Sequence, residues 1–139
     1  MIILDTNVIS EAMSPSPNAK LLRWLSDQTT SLLFTTTISL AEILYGIELL
    51  PSGKRRSGLL VAAENTLPKL FAARILTFDE AAARAFAPIA VHRRSRGRPI
   101  TVFDAQIAAV ARANGAVLAT RNTSDFEGCG VRLINPWVD

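Results

Sequence analysis

Four acidic residues of this chain lie at the edges of apolar runs rather than within polar stretches. They are Asp5, Glu42, Asp104 and Asp125. Burial of a carboxylate without a compensating charge is costly, and one divalent cation can compensate several carboxylates at once. Hard cations such as Mg²⁺ prefer carboxylate oxygens, and they assist hydrolysis by activating water and by stabilising charge on a phosphate. The chemistry that these residues predict is therefore metal-assisted hydrolysis.

Apolar stretches that alternate with helical patterns must position these acids. Strands are predicted at residues 2–4, 32–35, 74–78, 116–120 and 131–134. Helices are predicted at residues 21–25, 40–50, 59–71, 81–91 and 102–113, and Gly115 is a natural stop for the last of them. Such alternation is typical of an α/β fold, in which helices cover both faces of a parallel sheet. No repeat or linker interrupts the pattern, so we expect one domain over residues 1–139.

The four acids are expected to meet at one edge of this sheet. In open α/β sheets, ligands bind beyond the carboxyl ends of the strands. Asp5 and Asp125 follow two of the predicted strands. Glu42 and Asp104 are predicted in the first turns of the helices that begin at this edge. Their side chains share helix faces with apolar residues, so both carboxylates should point inward. We therefore predict one shared site.

Each acid also has an ordinary structural explanation. The stretches from Ser39 to Glu42 and from Thr101 to Asp104 fit a capping box, in which the acid accepts a hydrogen bond from a free backbone N–H at the start of its helix. Asp125 follows polar residues that are typical of a surface turn. A cap is the more common role for any one such acid. Four coincidences at one edge favour a shared site.

The charge balance is basic, with a formal net charge of +3 and a pI of about 9.6. The densest basic cluster, at residues 92–99, has the composition of a flexible loop and contains Arg93, Arg94, Arg96 and Arg98. Guanidinium groups can bind a phosphate through two hydrogen bonds. Because the cluster leads towards Asp104, we predict that it contacts the backbone of a nucleic acid. The alternative is a solvated loop that binds no ligand.

Single cysteine and histidine residues exclude several classes of site. Cys129 is the only cysteine, so the chain forms neither an internal disulfide nor a cysteine zinc cluster. His92 is the only histidine, and its place in the arginine cluster argues against a serine or cysteine triad. The apolar runs are shorter than the roughly 20 residues that cross a bilayer, and Asp5 interrupts any N-terminal signal. We expect a cytoplasmic protein with no membrane contact.

Five stretches of the chain carry a family resemblance. They are residues 4–11 (LDTNVISE), 40–43 (LAEI), 103–109 (FDAQIAA), 118–126 (LATRNTSDF) and 134–137 (INPW). The first four resemble the acidic motifs of PIN-domain nucleases in order and spacing, and no acidic position is lost. The fifth resembles the ending of the VapC- and FitB-like toxin branch. The resemblance covers essentially the whole chain.

The resemblance implies a PIN-like three-layer α/β/α domain with a central, mainly parallel sheet. It implies a Mg²⁺- or Mn²⁺-dependent endoribonuclease that is the toxin of a bacterial type II toxin-antitoxin pair. Its partners would be RNA, a small DNA-binding antitoxin and a second copy of the chain, within a dimer or a larger toxin-antitoxin complex. Asp5 and Asp104 would be the firmest metal ligands, and Asp125 and Glu42 would complete the pocket directly or through water.

The resemblance further implies a supporting set around the acids, namely Thr6, Asn7, Thr120 and Asn122. The arginines of residues 92–99 would then guide the RNA backbone to the metal. Candidates for a dimer face are apolar residues that one small core does not need, although burial explains each of them equally well: Trp24, Leu49, Leu50 and Trp137.

Other kinds of protein share parts of this pattern. A phosphatase of the haloacid-dehalogenase type also places Asp after its first strand, but it needs a second acid two residues later, where this chain has Asn7. A non-enzymatic module that binds RNA or protein would use the acids as helix caps and the arginines as its binding surface. That module predicts binding that is independent of metal.

Overall fold

A five-stranded sheet forms the centre of the computed structural model, which describes all 139 residues. Its strands are β1 (Ile2–Leu4), β2 (Leu33–Thr36), β3 (Ile75–Leu76), β4 (Val117–Ala119) and β5 (Arg132–Ile134). The order across the sheet is β3-β2-β1-β4-β5, and every pair of neighbours is parallel. The predicted strands are confirmed: β1 has the predicted bounds, β2 is shifted by one residue, and β3, β4 and β5 are shorter than predicted. All carboxyl ends therefore lie at one edge of the sheet.

Six helices cover the sheet. They are α1 (Thr6–Ala12), α2 (Ala19–Asp27), α3 (Thr37–Glu48), α4 (Lys54–Phe71), α5 (Glu80–Ser95) and α6 (Val102–Ala113). A short 3-10 helix at Thr123–Phe126, here called the Asp125 turn, follows β4. The five predicted helices are confirmed, and α1 was not predicted. None of the helices is both long and apolar enough to cross a bilayer.

Two apolar clusters lie on opposite faces of the sheet, because neighbouring residues of a strand point to opposite sides. Ile3 belongs to the cluster beneath α5 and α6, together with Ile107 and Leu118. Leu4 belongs to the cluster beneath α1 to α4, together with Leu67. The three-layer α/β/α fold is therefore confirmed, and its sheet is entirely parallel.

The start of α3 differs from the prediction. The hydroxyl of Thr36 accepts a hydrogen bond from the backbone N–H of Ser39 at 3.0 Å, so Thr36 is the N-cap and the helix begins at Thr37. Glu42 consequently lies in the second turn, and the capping box predicted between Ser39 and Glu42 is wrong. With its helix start capped by another residue, the Glu42 carboxylate is not needed as a cap.

The end of α5 also differs from the prediction. The helix continues to Ser95, so Arg93 and Arg94 belong to its last turn, and the prediction of a flexible loop is wrong for them. Arginine is a good helix former, and a positive charge at a helix C-terminus is favourable. The helix stops before Gly97, whose φ of +71° lies in the left-handed region. Arg93 is buried, with only 6% of its surface exposed.

Candidate metal centre

The pairing of β1 with β4 brings Asp5 beside Thr120. Leu4 is opposite Ala119, and the Asp5 N–H donates to the Ala119 carbonyl at 2.9 Å. The next residue of each strand therefore projects from the same edge of the sheet. There the Thr120 hydroxyl donates to Asp5 Oδ2 at 2.8 Å. Two residues that are 115 positions apart in the chain thus become direct partners.

Two further donors hold the Asp5 carboxylate. The Thr6 N–H donates to Oδ1 at 2.8 Å, which makes Asp5 the N-cap of α1, and the Asn7 amide donates to Oδ2 at 2.9 Å. Asp5 is 4% exposed. The pKa of Asp5 is raised to about 6, mainly by burial; the hydrogen bonds from Thr120 and Thr6 oppose this increase, and the charges of Asp104 and Glu42 add to it. All its donors are neutral, so Asp5 remains without a compensating positive charge.

Glu42 reaches the same edge from α3. The Thr6 hydroxyl donates to Glu42 Oε1 at 2.8 Å and lies 3.0 Å from the Ser39 hydroxyl. Ser39 is fully buried one turn before Glu42 on the same helix. Thr6, in the first turn of α1, therefore connects the two carboxylates: its N–H binds Asp5 and its hydroxyl binds Glu42.

Asp104 lies in the first turn of α6, as predicted. Its backbone N–H donates to the Thr101 hydroxyl at 3.2 Å, so Thr101 caps the helix. The carboxylate does not return a bond to the Thr101 N–H, and only half of the predicted capping box forms. Burial raises the pKa of Asp104, the charges of Glu42 and Asp125 raise it further, and the Thr101 hydroxyl and Arg93 oppose this effect.

The carboxylates of Asp5, Glu42, Asp104 and Asp125 all line one cavity of about 370 Å³. Its lining residues are Asp5, Thr6, Asn7, Ser10, Glu42, Asp104, Asn122, Asp125 and Phe126. The three ion pairs of the chain, Arg56 with Glu48, Arg84 with Glu80 and Arg98 with Glu127, involve none of these acids. The cavity therefore holds four carboxylates that form no ion pair with a basic side chain.

The donor set suits a hard divalent cation, because every polar atom that these acids offer is an oxygen. No three His, Cys, Asp or Glu side chains lie close enough to one another to enclose a single ion directly. Mg²⁺ commonly keeps several water molecules and takes only one or two carboxylates from a protein. A hydrated Mg²⁺ or Mn²⁺ therefore fits this cavity better than an ion such as Zn²⁺, which favours nitrogen and sulfur ligands.

The predicted supporting residues lie around this cavity. Thr6, Asn7 and Asn122 line it, while Thr120 lies below Asp5 and also accepts a hydrogen bond from the Asn122 N–H at 3.1 Å. Two polar residues of this region were not predicted. Ser10 lines the cavity one helical turn after Thr6, and Ser39 contacts Thr6 from the turn before Glu42. Helical spacing from a residue already proposed would have identified both.

The predicted arginines do not line the cavity. Arg93 is buried, and its guanidinium donates to backbone carbonyls rather than to solvent. Arg98 pairs with Glu127 at 2.9 Å. Arg94 and Arg96 are exposed, and their contact with RNA stays a prediction. Burial leaves Arg93 unable to bind a phosphate in the manner predicted for a flexible loop.

Comparison with known proteins agrees with the fold. The family model of the PIN domain matches residues 2–128. The plasmid stability protein StbB of Pseudomonas syringae pv. tomato is 44% identical over 137 residues, which cover 99% of each chain. The VapC ribonuclease Y4jK of Sinorhizobium fredii is 39% identical over 99% of this chain and 98% of its own. Toxin FitB of Neisseria gonorrhoeae is 39% identical over the full length of both chains.

A solved structure shows the same architecture. The crystal structure of FitAcB from Neisseria gonorrhoeae superimposes with a TM-score of 0.93, at 38% identity and over 100% of both chains. The two chains therefore share one overall fold. The chain therefore belongs to the PIN-domain family, within its branch of VapC and FitB toxins of toxin-antitoxin systems.

Proposed function

We propose that this toxin is a Mg²⁺- or Mn²⁺-dependent endoribonuclease that hydrolyses RNA phosphodiester bonds at its four-carboxylate cavity. One observation carries the proposal: acids from four separate parts of the chain line a single cavity, and no basic side chain pairs with them. Such a cavity repels a polyanion until a cation neutralises it. The ribonuclease names of relatives support the same activity.

Asp5, Asp104 and Asp125 are the residues that we assign to the metal, and Glu42 contributes directly or through water. A bound divalent ion would supply an activated water and would stabilise negative charge on the phosphate. Thr120, Asn7 and the Thr6 N–H orient the Asp5 carboxylate. The Asp5 pKa of about 6 means that part of the metal-free protein carries a proton on this carboxyl near neutral pH, and that proton must leave when a cation binds.

The non-enzymatic alternative keeps one supporting observation, which is that Asp5 caps α1. It loses the support of Glu42, because Thr36 caps α3. A cleavage assay separates the two functions. Total bacterial RNA is incubated with the protein in Mg²⁺, in Mn²⁺ and in EDTA. Discrete cuts that EDTA abolishes support the nuclease, and RNA binding without cuts in any of the three buffers supports the binding module.

The proposed domain extends beyond residues 2–128. β5 pairs with β4 through Leu133 and Leu118 and so forms one edge of the sheet. We therefore propose that residues 1–139 act as one PIN domain. Because the proposed RNA substrate and a protein antitoxin are made in the cytoplasm, we place its activity there.

A cognate antitoxin is the second proposed partner, and its proposed contact is an apolar cavity of about 400 Å³. The cavity lies between α1, α2 and α4, and ten of its fourteen lining residues are hydrophobic. A small DNA-binding protein could place an apolar helix face there, since grooves of this kind bind helices. Leu70 lines the cavity and is 54% exposed, so it is accessible to such a partner.

We expect Leu70→Glu to abolish neutralisation by the antitoxin and to leave RNA cleavage unchanged. A carboxylate in an apolar interface must be desolvated when the antitoxin binds, and this should weaken the complex by at least about tenfold. Growth and binding are measured with the antitoxin co-expressed. Val61→Glu is the matched control, because Val61 is 57% exposed on the same helix and does not line the cavity. Full neutralisation of Leu70→Glu would contradict this docking site.

We also propose a homodimer, whose contact includes α3. Tyr45 and Leu49 are one helical turn apart and are 65% and 67% exposed, whereas Trp24, Leu50 and Trp137 are half-buried and so less available as dimer contacts. We expect Leu49→Glu to convert the dimer to a monomer in sedimentation equilibrium at micromolar concentration. Val61→Glu should remain dimeric, and an unchanged mass for Leu49→Glu would exclude this face.

A further inference from the structure

The buried Arg93 has three hydrogen-bond partners, and all of them are backbone carbonyls. Its Nε donates to the Arg98 carbonyl at 2.7 Å. Its Nη1 donates to the Asp125 carbonyl at 2.6 Å and to the Glu127 carbonyl at 2.9 Å. A guanidinium that is 6% exposed and bonded in this way cannot also bind a phosphate from solvent. Its contacts join the end of α5 to the Asp125 turn.

Arg98 binds the same turn from the solvent side. Its Nη2 donates to the Ser124 carbonyl at 3.0 Å, and its Nη1 pairs with Glu127 Oε2 at 2.9 Å. The two arginines therefore bind the Ser124 and Asp125 carbonyls and Glu127, which directly follows the turn. Hydrogen bonds from charged donors are stronger than those between neutral groups, so this clamp is strong for a surface turn.

Other contacts also hold the Asp125 turn. The Asp125 N–H donates to the Asn122 carbonyl at 3.0 Å, the Cys129 N–H donates to the Phe126 carbonyl at 3.3 Å, and Phe126 anchors the turn in the core. None of these contacts involves a charged donor. The chain after it passes through Gly128 and Gly130, both at positive φ, where the backbone is permissive. The Asp125 side chain is exposed and has no hydrogen-bond partner. The backbone therefore determines where the Asp125 carboxylate lies over the cavity.

We propose that Arg93, with Arg98, is a positioning residue for Asp125, and that the pair promotes cation binding through the backbone of the Asp125 turn instead of by contact with RNA. The inference rests on the proposed function, because it assumes that the cavity binds a divalent cation. Residues that orient a metal ligand typically contribute about 10- to 100-fold to metal affinity. Loss of the Arg93 guanidinium leaves three carbonyls without their donor and releases the turn.

A double-mutant cycle on Mn²⁺ affinity tests this inference without RNA. The variants are Arg93→Met, Asp125→Asn and the double variant, and free Mn²⁺ is measured by electron paramagnetic resonance below the unfolding temperature of each protein. We expect each single variant to weaken Mn²⁺ binding by about 10-fold or more. The double variant should bind no more weakly than the weaker single variant, because both changes remove the same ligand. Arg94→Met, on the same helix turn but exposed, should bind as the wild type.

Other outcomes overturn the inference. If the losses of Arg93→Met and Asp125→Asn multiply in the double variant, Arg93 acts by another route. Wild-type affinity in Arg93→Met has the same consequence. If Arg93→Met does not fold, the cycle is run with Arg98→Met, because the Arg98 side chain is half exposed. Wild-type Mn²⁺ affinity in Arg98→Met would overturn the proposed role of the two arginines. Losses of Arg98→Met and Asp125→Asn that multiply in the double variant would do the same. A wild-type protein that binds no Mn²⁺ would remove the proposed function together with this inference.

Discussion

Asp104→Asn is expected to lower the rate of RNA cleavage by more than about a hundredfold. Loss of a residue that merely orients a metal ligand costs about 10- to 100-fold, so loss of a ligand should cost more. An amide carries no charge to offset that of the cation, although it occupies the same volume. The measurement is the initial rate on total RNA in saturating Mn²⁺, together with growth after induction in cells. Asp5→Asn should have an effect of the same size.

Two controls separate catalysis from folding. The N–H of residue 104 still donates to the Thr101 hydroxyl in Asp104→Asn, so the cap of α6 remains and the free energy of unfolding should change by no more than about 1 kcal/mol. Glu80→Gln removes an exposed acid from the first turn of α5 and should cut RNA as the wild type does. Wild-type cleavage by Asp104→Asn would contradict the assigned site and favour the module whose acids are caps.

Asp5 is expected to make the metal-free protein more stable at pH 5 than at pH 8. The pKa of Asp5 rises from 3.8 to about 6 on folding, so the folded state binds this proton more tightly than the unfolded state. The stabilisation is complete below about pH 4 and is lost as the pH rises through 6. It amounts to about 3 kcal/mol at most. The raised pKa of Asp104 acts in the same direction.

Urea unfolding in EDTA at pH 5 and pH 8 measures this effect, and the variant Asp5→Asn isolates it. Other acids titrate in the same range, so the informative quantity is the difference in pH dependence between the two proteins. The wild type should lose more stability than Asp5→Asn between pH 5 and pH 8. Saturating Mg²⁺ should reverse the trend for the wild type, because the cation binds the ionised carboxylate. Equal pH dependence of stability in the two proteins would contradict the raised pKa of Asp5 in the folded state.

Local patterns predicted most of the fold. The bounds of α6 agree at both ends, since a Thr cap, an apolar face and Gly115 all act within one helix. The sequence pattern does not predict helix α1, because the helix begins immediately after β1 and its first turn, Thr6 and Asn7, is polar. The end of α5 was misplaced for a related reason. Several adjacent arginines have the composition of a loop, but they are also good helix formers.

The acids show where local reasoning reaches its limit. The positions of Asp5 after β1 and of Asp104 in the first turn of α6 follow from the sequence alone. The start of the helix that carries Glu42 did not, because Thr36 and not Ser39 caps α3. The hydrogen bonds of Arg93 could not be predicted from the sequence either. Its partners at Asp125 and Glu127 lie more than thirty positions away, and no local pattern indicates a guanidinium that binds backbone carbonyls.

The order of amino acids is enough to predict which stretches form strands and helices and at which end of a parallel sheet the acids lie. Those properties depend on side-chain periodicity, caps and turns, which act between near neighbours. Three properties come instead from the packing of the whole chain: four carboxylates share one cavity, burial raises the pKa of Asp5, and Arg93 is buried. Burial, desolvation and long-range hydrogen bonds arise when distant segments pack together, so they are properties of the folded chain.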